Sequence, residues 1–459
     1  MAELVDARDS KSRSGNRVSV RFRPGAPFPS FGNAIGSIMM KTIFSLLFIL
    51  ILVSNAEAYE KKEINLPSGT DLIYTGFEEG NSTLIIWLPS EHGTSPEMIE
   101  SALNIAVEGF DVWTLDLHST YMEPPGRASM AKFDAEEIYQ ILAVAKKRGY
   151  ENIVLSAASR GAILALNAGR MWQIKHPGDH NFLGYIFLHP HLIEGSVEIG
   201  DDAAYLPIAR AVNKPVFILQ PEYSTKFLRS DQVARQLKTG GAELKLVAMD
   251  NIAAGFYARP REDLTDADLA MRSQMGTLFD QGFEFLKAAK QPDKAAPMAG
   301  EETAQTVQKS RVRSLTPFKG SPAAPALKLK GIDGKTYDLS SFKGQVVLVN
   351  FWATWCGPCV KEIPSLNRLV EKMQGTNFQL LSVDIKEHKR RIKSFFDRLE
   401  LKQGFPVLMD RDGKASKAWK VYAYPSTFLI DKAGTIRYAK RGAMEWDDQD
   451  VIDTITALF

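Results

Sequence analysis

The chain contains two cysteines, Cys356 and Cys359, separated by two residues. One pair in 459 residues excludes a disulfide-stapled scaffold and a cysteine-rich zinc module. The pair lies in Phe351-Trp-Ala-Thr-Trp-Cys-Gly-Pro-Cys359, behind an apolar run of strand type and ahead of a helical pattern. A sulfur at a helix N-terminus faces unsatisfied N–H groups and the positive end of the helix dipole, which favour thiolate over thiol. Two intervening residues bring the sulfurs within bonding reach, and Pro358 is preset for a first helical turn. The chemistry this points to is thiol–disulfide exchange. Cys356, at the loop edge, is the expected attacking thiolate, and Cys359, inside the helix, the resolving thiol. A zinc site would need two further ligands, and His388 is the only histidine after residue 191. A second segment, Ser156-Ala-Ala-Ser-Arg-Gly161, places Ser159 where a strand pattern turns into a helix.

These groups must be positioned by two alternating strand–helix regions. Apolar, β-branched runs at 83–88, 111–115, 152–156, 184–188, 215–219 and 244–248 read as strands, with helices over 135–148 and 160–171 among those between them. Continuous apolar strands alternating with helices predict a mainly parallel sheet covered on both faces. Residues 291–321 then shift to Pro, Ala, Lys, Glu and Gln with few aromatics, the composition of a linker. The alternation resumes from Pro322 through runs at 346–352 and 379–384. The expected organisation is an α/β domain at 59–290, a linker at 291–321 and a second α/β domain at 322–459.

The Trp-Cys-Gly-Pro-Cys motif, the preceding Val-Asn-Phe-Trp-Ala-Thr run, Glu362-Ile-Pro364 and Tyr424-Pro-Ser-Thr-Phe-Leu-Ile-Asp431 followed by Lys-Ala-Gly434 carry a specific resemblance. Residues 322–459 resemble the TlpA-like thioredoxin domains, exported dithiol reductases related to those serving cytochrome c maturation. The resemblance implies a redox-active Cys356–Cys359 disulfide with no other cofactor. It also implies a cis-proline at Pro425 whose backbone pairs with the substrate chain, and a substrate-facing surface of Trp355, Gly357, Pro358, Tyr424 and Pro425. Glu362 lies three residues after Cys359 on one helix face. The resemblance makes it a partly buried carboxylate assisting proton transfer from the resolving thiol; a first-turn Glu that only favours the helix dipole is the alternative. Pro364 is expected to kink this helix. Tyr424 departs from the small or β-branched residue usual before that proline. Trp352 and Trp355 read as packing and shielding groups. Gly-Pro between the cysteines resembles the reducing branch, which implies a protein disulfide as substrate and a membrane thiol-transfer protein as electron donor.

The segment Asn152–Gly161 resembles the nucleophile elbow of α/β-hydrolases, with Ala157 at the first glycine position and Ser159 at the nucleophile. His92-Gly93 falls where those enzymes place an oxyanion loop, and Asp116 ends the next strand. Glu222 would supply the acid. The base position after Met249 reads Asp250-Asn-Ile-Ala-Ala-Gly-Phe-Tyr257, without a histidine, so the serine lacks its usual general base. His189 and His191 are the substitutes, and His118, His176 and His180 are given no role.

At the N-terminus, Lys41 followed by the apolar run Ile43–Val53 and Ala56-Glu-Ala58 has the form of a secretory signal peptide beginning at Met40. Eleven apolar residues at ~1.5 Å each do not cross a ~30 Å hydrocarbon core, which argues against an uncleaved anchor. Residues 1–39 are Arg- and Ser-rich without period, and Val20-Arg-Phe-Arg-Pro24 is encodable by the T-arm of a transfer-RNA gene. They read as a disordered upstream extension from a misplaced bacterial start codon.

Lys and Arg number 56 against 54 Asp and Glu, a net charge of +2, so no field advertises a nucleic acid. The reading is an exported, periplasmic thiol–disulfide oxidoreductase, reducing in direction, whose hydrolase-like domain positions substrate. Membrane association remains compatible with it. A periplasmic serine hydrolase with a redox regulatory domain is the alternative, and a non-enzymatic oxidant sensor a third reading.

Overall fold

Side chains of an interior strand are buried on both faces, where β-branched and aromatic residues pack best. The computed structural model describes residues 17–20, 60–195, 197, 203–298, 315–398 and 404–459. The first sheet comprises β1 (Arg17–Val20), β2 (Lys61–Asn65), β3 (Asp71–Phe77), β4 (Thr83–Leu88), β5 (Asp111–Leu115), β6 (Asn152–Ala158), β7 (Phe182–Leu188), β8 (Val216–Tyr223) and β9 (Leu244–Ala253). Their order is β1-β9-β8-β7-β6-β4-β5-β3-β2. Pairing is parallel from β1 to β5, and β3 and β2 close the edge antiparallel.

Alternate residues of β4 enter two separate cores. Leu84, Ile86 and Leu88 pack with Ile138, Ile141 and Leu164 from the helices Ala135–Lys147 and Gly161–Lys175. Ile85 and Trp87 pack with Met98, Ile105 and Phe279 from the helices Pro96–Ala106 and Met275–Ala288. This period of two, with both faces apolar, is why the strand reads as a continuous hydrophobic run.

The C-terminal region adds β10 (Thr316–Pro317), a hairpin of β11 (Lys328–Lys330) and β12 (Thr336–Asp338), then β13 (Val346–Trp352), β14 (Phe378–Ile385), β15 (Val407–Asp410), β16 (Ser426–Ile430) and β17 (Ile436–Arg441). The sheet order is β10-β17-β16-β13-β14-β15, parallel from β13 to β15 and antiparallel through β16, β17 and β10.

Contacts fall within segments that the sequence reads as linker and upstream extension. The expected linker is packed at both described ends. Arg170 donates to the Ala296 carbonyl, Asn213 donates to the Lys294 carbonyl at 2.7 Å, and Thr316–Pro317 pairs with β17. Composition misses this because the partners lie far away in sequence. Within residues 1–39, expected to lack structure, Arg17–Val20 forms an edge strand beside Leu246–Met249. The signal-peptide reading of 40–58 lies outside the described residues. Among the described residues, no helix is long and apolar enough to cross a membrane.

Candidate functional site

β13 is buried along its whole length and ends at Trp352, leaving a short loop that delivers Cys356 to the start of the helix Gly357–Lys372. Cys356 is the N-cap residue, so its sulfur sits at the turn where the helix N–H groups are unsatisfied. Cys356 and Cys359 are joined in a disulfide, their Cα atoms 5.3 Å apart. Cys356 keeps a small exposure of 7%, whereas Cys359 has none. That difference fits attack at Cys356 and resolution from Cys359. The loop is anchored by Glu387, whose carboxylate accepts from both the N–H and the hydroxyl of Thr354 at 2.6 Å and pairs with Arg391 at 2.6 Å. Asp384, fully buried beside it, is held well above the usual carboxylate range by burial and then by the Glu387 charge.

Glu362 is 1% exposed and accepts from Asn350 Nδ2 at 2.8 Å and Trp446 Nε1 at 3.0 Å. Burial pushes its carboxyl up to about 7 despite these hydrogen bonds. A carboxyl poised near neutrality, three residues beyond Cys359, has the protonation range a thiol proton acceptor needs. Pro364 lies inside the helix, which continues to Lys372.

Across the dithiol, the Tyr424–Pro425 peptide bond is cis. Ser426 pairs with Phe351 in the β13–β16 ladder, so Pro425 stands at the ladder end from which the cysteine loop leaves. The Tyr424 ring meets Trp355 edge-on at 5.8 Å. The bulky residue before the proline thus packs against the tryptophan before Cys356.

Residues 321–439 match the AhpC/TSA family. The thiol–disulfide oxidoreductase ResA of Geobacillus thermodenitrificans is 35% identical over 125 residues, covering 27% of this chain and 71% of the relative. ResA of Bacillus thuringiensis subsp. konkukian is 38% identical over 113 residues, covering 25% of this chain and 64% of the relative. The chain belongs to the ResA-type thiol–disulfide oxidoreductases. A solved pneumococcal exposed lipoprotein thioredoxin, Etrx1 of Streptococcus pneumoniae, is 31% identical; the match covers 29% of this chain and all of that one, with a TM-score of 0.26.

The oxidoreductase domain, of thioredoxin fold, occupies only the C-terminal part of the chain, and the N-terminal domain packs against its redox face. Tyr223, the last residue of β8, stacks on Trp355 with ring centroids 6.5 Å apart, and the Arg391 guanidinium lies 4.3 Å from the centre of the Tyr223 ring. Glu222 pairs with Lys386 at 3.4 Å. Leu228 inserts into the apolar core of the oxidoreductase domain. It lies against Gly413, where a Cβ would come within 2.3 Å of its Cδ2.

Ser159 sits at the sharp turn between β6 and the helix Gly161–Lys175 with φ of +50°, a strained value for a non-glycine residue. Its hydroxyl donates to Glu91 Oε1 at 3.0 Å and accepts from Lys226 Nζ at 2.9 Å. Among the described residues, neither imidazole of His189 and His191 hydrogen-bonds to that hydroxyl; the His191 backbone N–H donates instead to the Ser159 carbonyl at 2.9 Å. His189 Nδ1 lies 3.5 Å from Lys226 Nζ, and burial holds both imidazoles well below their ordinary value, His191 at about 3. Glu222 is used elsewhere, accepting from the Asn251 N–H at 3.0 Å and pairing across the domain boundary. Asp116 caps the short helix Leu117–Thr120 and pairs with Lys61. The side chains that meet the Ser159 hydroxyl are therefore Glu91 and Lys226, which no motif or spacing singles out.

Glu91 also accepts from the Arg160 N–H at 3.3 Å. That N–H, on the residue after the serine, is the donor an acyl-transfer oxyanion would require. Burial raises the Glu91 carboxyl, but the Lys226 charge and hydrogen bonds outweigh it and hold it at about 2. An ionised carboxylate thus stands where negative charge would have to develop. Among the described residues, no group of three or more His, Cys, Asp or Glu side chains is placed to hold a metal ion.

Proposed function

We propose that the chain is an exported reductase of protein disulfides, in which the N-terminal domain, related to the α/β-hydrolases, governs which substrates reach the dithiol. The observation that carries the reading is the Cys356–Cys359 pair at a helix N-terminus with the buried carboxyl of Glu362 behind it. In the reduced enzyme the Cys356 thiolate attacks one sulfur of the substrate disulfide, forming a mixed disulfide and releasing the other sulfur as a thiolate. Cys359 passes its proton toward Glu362 and attacks Cys356 Sγ. The substrate leaves reduced by two electrons, and the enzyme is left in the disulfide state described above. A dithiol donor at the membrane then restores the thiols.

Trp355, Gly357, Pro358, Tyr424 and Pro425 form the surface against which the substrate chain lies. The signal peptide at 40–58 sends the protein to the periplasm, and the domain unit at 59–290 supplies Tyr223 and Glu222 to the rim of the dithiol. The serine-hydrolase reading is not favoured, because the Glu91 carboxylate already takes the Arg160 N–H. Insulin reduction by the full chain tests the proposal, and Cys356→Ser should abolish it. A Cys359→Ser variant expressed with its export signal should trap a mixed disulfide with the natural partner. Full insulin reduction by Cys356→Ser would overturn the mechanism.

A further inference from the structure

Beside the redox face, the two domains enclose a cavity of about 200 Å³. Arg127, Arg160, Lys226 and Arg229 line it from the N-terminal domain and Arg441 from the oxidoreductase domain, with Glu91 the one carboxylate among the described lining residues. Glu91 is already committed to Ser159 and Arg160. Arg229 is 8% exposed, and its Nε and Nη2 are buried without a hydrogen-bond partner. The face of its guanidinium rests on the Tyr422 ring at 4.2 Å. Burying a guanidinium without an anion is costly, because the water it gives up is not replaced.

The two unpartnered atoms share one edge of the guanidinium, the edge that grips an oxyanion with two parallel hydrogen bonds. Arg368 shows that grip elsewhere in this molecule, where Nε and Nη2 each donate to the Asp447 carboxylate at 2.9 Å. Glu91 shows that this wall accommodates a carboxylate, with the Ser159 hydroxyl and Arg160 N–H as donors. We propose that the cavity is a binding site for a small oxyanion, carboxylate or phosphate, held side-on by Arg229 with Arg127 as a second cation. Because Arg229 contacts Tyr422, two residues ahead of Tyr424, the bound anion lies at the junction of the two domains and neutralises its excess positive charge.

The test is calorimetric titration of the whole oxidised protein in a low-salt zwitterionic buffer, with succinate and inorganic phosphate as separate probes. At least one should bind with one site per chain. Succinate alone would assign a carboxylate ligand, and phosphate alone a phosphate ligand. Arg229→Met should weaken binding by about tenfold or more, the loss expected for a bidentate charge-assisted pair. Arg127→Gln, at an exposed position that tolerates change, should weaken it severalfold, whereas Arg368→Met, outside the cavity, should not. Should Arg229→Met fail to fold, Arg127→Gln carries the comparison. No saturable binding of either probe up to about 10 mM, or binding unchanged by the cavity substitution compared, would overturn the proposal.

Discussion

Replacing Glu362 by Gln should make the protein more stable at pH 8 while slowing its chemistry. The carboxyl is buried and its pKa stands at about 7 instead of the ordinary 4.5. The native state therefore keeps a proton that the unfolded chain has already released, and stability falls as pH rises from about 4.5 to about 7. At roughly 1.4 kcal/mol for each tenfold change in proton affinity, the penalty fully present at pH 8 is roughly 3 kcal/mol. Glutamine carries no charge and avoids it, but its amide cannot accept from both Asn350 and Trp446, which costs about 1 kcal/mol. The net expectation is a gain of about 2 kcal/mol at pH 8, turning into a loss of about 1 kcal/mol at pH 4.5. Urea unfolding of the disulfide form at the two pH values measures the difference. In single-turnover insulin reduction the same variant should slow resolution of the mixed disulfide by about 100-fold, the scale of a lost proton acceptor. An equal stability difference at both pH values would show that Glu362 does not titrate in this range. An unchanged resolution rate would remove it from the mechanism.

Gly413→Ala places a Cβ within 2.3 Å of Leu228 Cδ2 at a residue with φ of +69°; it should destabilise the docked domains by about 1–3 kcal/mol, seen as faster limited proteolysis between them. In Cys359→Ser, the alkylation rate of Cys356 against pH should give a thiol pKa below the unperturbed ~8.5; a value at or above that would mean the helix start does not activate the sulfur. Ser159→Ala should leave insulin reduction by the whole protein unchanged, and an ester hydrolysis present in wild type but absent from this variant would restore the hydrolase reading. Tyr223→Ala removes the ring stacked on Trp355 and should speed labelling of reduced Cys356 by a bulky maleimide; an unchanged rate would show that Tyr223 does not screen the dithiol.

The chemistry of the C-terminal domain was legible because it is local. Cys356, Cys359, the helix that begins between them and Glu362 all lie within one strand–loop–helix passage. Interior strands were legible for a related reason: β4 and β5 are buried along every residue, so their apolar runs have sharp ends. β2, with Lys61, Lys62, Glu63 and Asn65 in five residues, lies at a sheet edge and carries no such signal.

The surroundings of Ser159 belong to the other class. The resemblance to a nucleophile elbow drew attention to Ser159, with Glu222 at the acid position and, no histidine following Met249, with His189 and His191 as substitute bases. The fold instead brings in Glu91 and Lys226, 68 and 67 residues away, and sends Glu222 to Lys386 on the other domain. Sequence periodicity reports which side chains turn inward; it contains no term for which charged group meets which once strands from distant segments converge. The dithiol and the helix start that carries it could therefore be read from residue order alone. The partners of the buried serine, the stacking of Tyr223 on Trp355 and the unpaired guanidinium of Arg229 were decided only in three dimensions. There, desolvation makes each charge depend on neighbours that the chain order does not place beside it.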